Sequence, residues 1–94
     1  MTAPTATRPN IHQLVNDADA GPDGDGVHDS YVTDVARGWF IHCTTPGNAR
    51  DVALHAIREL SLYDWSVTVE AYPKQIRHPW RTVDYTHRVV VVAR

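Results

Sequence analysis

Six histidines in a chain of 94 residues are the first place to look for metal chemistry. Asp51, His55 and Glu59 are spaced i, i+4 and i+8, so on a helix adjacent pairs meet on one face. The outer two would lie ~12 Å apart along the axis, too far for one ion to hold all three. A solvated helix face is the simpler reading. His12, His28, His42, His78 and His87 show no HxH, HExxH or HxxxH spacing. Asp17, Asp19, Asp23, Asp25 and Asp29 suggest a calcium loop, which needs oxygen ligands at positions 1, 3 and 5, glycine at 6 and a carboxylate at 12. Counted from Asp19, position 3 is Gly21 and position 12 is Ser30; counted from Asp17, position 6 is Pro22. Neither register fits, and no metal is expected.

Cys43 follows His42, but neighbouring strand residues face opposite ways, so the two cannot pair as thiol and imidazole. A free cysteine on the helix-facing side of a strand acts as a small apolar core residue. No GxSxG, phosphate-cradling glycine loop or dinucleotide fingerprint is present. The expectation is a protein with no catalytic residue and no cofactor.

The segment from Pro73 to Arg81 is the most distinctive surface feature. Lys74, Arg77 and Arg81 supply cations, while His78 and Trp80 supply planar groups. Arginine and tryptophan are enriched in protein-interface hot spots, and the same mixture can hold a nucleic-acid strand by phosphate contact and base stacking. Three cations are few for nucleic acid, so a protein partner is the leading reading and nucleic acid the alternative. The plainer alternative is a long hairpin loop with Trp80 folded back on the sheet edge.

These groups need elements to position them. Residues 1–30 read as an irregular acidic arm rich in Gly, Pro and Asp. Within it, Ile11, Leu14 and Val15 form either one helical turn or an extended pin to the body. Residues 31–94 read as a single α+β domain. Tyr31–Val35 and Trp39–Thr45 are rich in β-branched and aromatic residues, and Ala36-Arg37-Gly38 between them suits a tight hairpin with Gly38 at positive φ. A helix then opens near Thr45–Asn48, capped by Thr45 with Pro46 next or by Asn48. Val52, Ala53, Ala56, Ile57 and Leu60 form its apolar stripe. Trp65–Tyr72 alternates as a half-buried strand, Pro73–Arg81 is a loop, and Thr82–Ala93 is the last strand.

The order β-β-α-β-β, with a right-handed crossover, leaves the position of the last strand to be decided. Val89–Val92 is apolar on both faces, as a central strand is. Placing it between the second and third strands gives a split β-α-β, a four-stranded and mainly antiparallel sheet with one helix on one face. The other face then carries Phe40, His42, Tyr72, Val90 and Val92. A bare apolar face invites cover, and the expectation is a second copy in a homodimer, with the arm next and a protein partner as the further alternative.

Composition bounds the remainder. A formal charge of −2 divides into six Asp against Arg8 up to Ala36, then eight basic residues against five acids from Arg37 onward. One cysteine excludes a disulfide scaffold. No apolar run reaches membrane-spanning length, and residues 1–10 lack the apolar stretch of a secretory signal, so the expectation is a cytoplasmic protein without membrane contact. Arginine outnumbers lysine eight to one, a bias of GC-rich coding that suggests an actinobacterium or its bacteriophage. The resulting expectation is a small, non-enzymatic protein-interaction or regulatory protein.

Overall fold

The computed structural model describes residues 9–19 and 30–94. Along the chain come α1 (Ile11–Asp19), β1 (Tyr31–Val35), β2 (Gly38–Cys43), α2 (Pro46–Glu59), β3 (Trp65–Arg77) and β4 (Thr82–Ala93). Most of the acidic arm expected over residues 1–30, with Asp23, Asp25 and Asp29, lies outside the described residues.

The strands form one sheet in the order β1-β2-β4-β3, with every neighbouring pair antiparallel. This is the split β-α-β arrangement, antiparallel throughout rather than mainly so. The valine run decides it. Val89 and Val91 are fully buried, pairing with Ile41 and Trp39 of β2. Val90 and Val92 face the other way and are half-buried. Each fully buried valine contributes up to about 1.5–3 kcal/mol by leaving water, which an edge position would forfeit.

α2 starts where its cap chemistry dictates. Thr45 is extended, its Oγ1 accepts a hydrogen bond from the Asn48 amide (3.0 Å), and Pro46 occupies the first turn. Its buried face is Asn48, Ala49, Val52, Ala53 and Ala56. Ile57, expected in the stripe, is 45% exposed; it stands at the stripe's margin, and the buried set is centred on Ala49, Val52 and Ala56. Asn48 is buried at the opposite margin because its amide is satisfied. Its Oδ1 accepts from the Thr44 amide, and its Nδ2 donates to Ser30 Oγ (3.0 Å). On β2, Trp39, Ile41 and Cys43 complete the helix-facing core, with the Trp39 and Trp65 rings 5.3 Å apart.

Residues 11–19, read from sequence as part of an irregular arm, form a nine-residue helix. Ile11, Leu14, Val15 and Ala18 recur at i, i+3, i+4 and i+7, and all four are buried. Asn10 Oδ1 accepts from the Gln13 amide at the start of the helix. α1 packs against α2 and joins the same core. It therefore thickens the side that α2 already covers and leaves the opposite sheet face open.

Two local differences shape the site. The β1–β2 turn is Ala36-Arg37, with Val35 paired to Gly38, so Gly38 belongs to β2 and not to the turn. More consequentially, β3 does not end at Tyr72. It continues to Arg77, paired with β4 through Lys74–Tyr85 and Ile76–Val83, after a bulge between Ala71 and Lys74. Pro73 falls inside that bulge, on an edge strand where its missing N–H costs no ladder bond. Only His78–Arg81 connect the strands, closed by the His78 amide donating to the Arg81 carbonyl (2.8 Å).

Candidate functional site

The open face and the 73–81 segment, separate in sequence, become one surface through the β3–β4 extension. Strict alternation along β4 would set Tyr85 on the helix side with Val89 and Val91. Past the bulge its ring instead lies 5.8 Å from His42, on the open face. A row of rings follows. Trp80 stacks on His78 at 4.8 Å and 5°, and His78 meets the edge of Tyr31 at 4.8 Å. Tyr31 stacks on His42 at 6.2 Å, and His42 meets Tyr72 at 6.0 Å. The Arg88 guanidinium ends the row, 3.8 Å from the Tyr72 ring centre and 4.2 Å from that of Phe40. Glu70 holds it there through a hydrogen bond from Nε and an ion pair at Nη2.

Of the residues singled out in the sequence, Phe40, His42, Tyr72 and Lys74 come together around one groove of about 450 Å³, with Tyr31, Thr33, Val35, Ile76 and Arg88. Val90 and Val92 share that face by register, opposite Phe40 and Gly38, but do not line the groove. Arg77, Trp80 and Arg81 are exposed at the far end of the extension, Trp80 by 71%. His78 beside them is buried and hydrogen-bonded to the Tyr85 hydroxyl (2.9 Å). Burial, with the neighbouring Tyr31, pushes the Tyr85 phenol above its ordinary range, so it stays a neutral hydrogen-bonding partner.

Tyr31, Ile76, Tyr85 and Arg88 are site residues that the sequence reading did not name. Alternation of Tyr31, Thr33 and Val35 could have set Tyr31 beside His42 once the hairpin register was known. Tyr85 had no such signal, because the bulge breaks the period along β4. Ile76 keeps the parity of Tyr72 and Lys74 but lies beyond Pro73, where the strand reads as ended.

His42 is only 3% exposed, and its Nδ1 is the one buried side-chain polar atom without a hydrogen-bond partner among the described residues. Burial first, then the charges of Lys74 and Arg88, lower its pKa below the ordinary 6.5. The unfolded chain therefore takes up this proton more readily than the folded one, and stability falls as pH drops below 6.5 towards the folded value. Urea midpoints measured between about pH 5 and 8 should decline on the acid side, and His42→Phe should flatten that part of the slope. An unchanged slope in the variant would assign the decline to other groups.

Among the described residues, no cluster of three or more His, Cys, Asp or Glu is placed to hold a metal. His55 Nδ1 donates to the Asp51 carbonyl of its own helix (3.0 Å). Cys43 is buried in the core on the far side of β2 from His42. No helix among the described residues is long and apolar enough to cross a membrane. The arrangement suits binding: a rigid aromatic row with a cationic margin, and a groove at one end. No family model, curated protein or solved structure matches the chain, so its chemistry is read from this geometry alone.

Proposed function

We propose that this chain is a small, non-enzymatic interaction protein of the cytoplasm that binds a protein partner, with Trp80 as the anchor. The observation that carries the reading is an indole 71% exposed yet held in place. Its inner face is stacked on a buried histidine, which is itself fixed by Tyr85. Ordering a large apolar side chain in advance removes much of the entropy cost of binding. Arg77 and Arg81 flank it, giving the residue types that dominate interface hot spots.

Trp80→Ala with Arg77→Ala should cost only about 0.5–1.5 kcal/mol of stability, the loss of the stacking on His78, because both side chains are otherwise exposed. The same pair should weaken capture of a specific partner by about 2 kcal/mol or more, roughly 30-fold. Equal recovery of every captured protein by the parent and the variant removes the loop from the reading. The outer indole face with two flanking arginines also supports a second reading, a nucleic-acid-binding regulator that stacks a base on Trp80. That reading requires a mobility shift at low salt and affinity falling steeply as salt is added.

A further inference from the structure

We propose that the groove on the open sheet face is a binding site for a small aromatic carboxylate, its ring lodged against the aromatic side chains that line the groove and its charge directed to Lys74. The site lies at the other end of the aromatic row from Trp80, and neither Trp80 nor Arg77 lines it. The inference therefore stands apart from the docking role given to the loop.

Size sets the first limit. About 450 Å³ lies within the range of small-molecule sites and suits a ring with a short substituent. The walls set the second. Tyr31, Phe40 and Tyr72 present π faces or edges, and Val35 and Ile76 add aliphatic contact. A planar aromatic group matches such walls better than a flexible chain.

Charge sets the third limit. Lys74 and Arg88 line the groove and no acidic residue does. The two cations are not equivalent. Arg88 is neutralised by Glu70 and clamped between Phe40 and Tyr72, so its guanidinium already serves as part of the wall. Lys74 is exposed and makes no ion pair among the described residues. It is the uncompensated charge at the mouth, and a carboxylate is its complement. The buried His42 ring also lines the groove, beside Tyr31 and Tyr72.

The test uses the full chain and benzoate as probe, followed by heteronuclear NMR of the Lys74 amide and the His42 ring. Benzoate should give saturable shifts with a Kd of about 1 mM or tighter. Benzyl alcohol, which lacks the charge, and cyclohexanecarboxylate, which lacks the π face, should each bind at least about tenfold more weakly. Lys74→Gln should cost about tenfold, while Arg58→Gln, an equal charge change on exposed α2, should leave the titration unchanged. Trp80→Ala with Arg77→Ala should also leave it unchanged, which separates this site from the loop.

Shifts that never saturate, or that survive Lys74→Gln, overturn the proposal. Equal binding of benzyl alcohol overturns it as well. So does sedimentation showing a dimer that buries this face and is indifferent to benzoate, because a second copy is then the occupant.

Discussion

Gly38→Ala should cost about 3 kcal/mol or more, a large share of a total stability that at this size is about 5–10 kcal/mol. A Cβ built on Gly38 would sit 2.0 Å from the Val91 carbonyl oxygen and 2.9 Å from the Val92 Cα. Both neighbours are backbone of β4, the central strand, so no side-chain rotation makes room. β2 and β4 would have to separate where Trp39 and Val91 close the core. Gly47 supplies the contrast. A Cβ there meets nothing nearer than Thr45 Oγ1 at 3.9 Å, in the first turn of α2. Gly47→Ala should therefore leave stability unchanged or raise it by about 0.5 kcal/mol, because alanine loses less backbone freedom on entering a helix. Urea unfolding of the two variants gives the comparison directly, with opposite signs expected. Similar midpoints for both would mean that β2 and β4 do not approach as closely as Gly38 requires.

Ile11→Ala should destabilise the whole fold by about 2–5 kcal/mol, although it lies twenty residues before the first strand. Ile11 is 1% exposed and packs in the same cluster as Trp39, Val52 and Val91. Truncating it leaves a cavity under α1 where the helix meets α2. Exposed His12 on the same helix is the control, and His12→Ala should stay within about 0.5 kcal/mol of the parent. Coincident loss of helix signal and tryptophan fluorescence would show α1 and the sheet unfolding together. A midpoint unchanged in Ile11→Ala, with faster amide exchange confined to α1, would instead make this helix a separately opening unit.

These two positions also mark where sequence reading works and where it stops. Gly38 was legible as a special residue, but for the wrong reason. A glycine after Ala36-Arg37 reads as a turn needing positive φ, whereas the requirement is room for a backbone two strands away in sequence. That contact does not exist until β4 is inserted beside β2. For α1, the spacing of Ile11, Leu14, Val15 and Ala18 is helical, yet nine residues are too few for a helix to be stable alone. Packing on α2 makes it a helix, and local composition cannot report that packing.

The candidate surface divides in the same way. Phe40, His42 and Tyr72 were assigned to an open face from alternation, and alternation holds wherever the ladder is regular. It fails on β4 beyond the Ala71/Lys74 bulge, where Tyr85 turns to the open face although it shares the parity of Val89 and Val91. Pro73 reads as the end of a strand, because in a central strand it would be. On an edge strand it marks a bulge, and β3 continues. Lys74 and Ile76 thereby reach the groove, while His78 is buried behind Trp80.

The sequence alone determined the α+β class, the existence of α2 and the region of its start, the central place of the valine strand and hence the order of the sheet. Each follows from local signals: hydrogen-bonding side chains at a helix start, and apolar residues on one face or both. Only the tertiary structure decided that α1 lies on the covered side, that the aromatic loop and the open face form one continuous row, and that Lys74 alone remains uncompensated at the groove. Those outcomes depend on a bulge and on contacts between distant segments, whose energies are settled only when the whole sheet has closed.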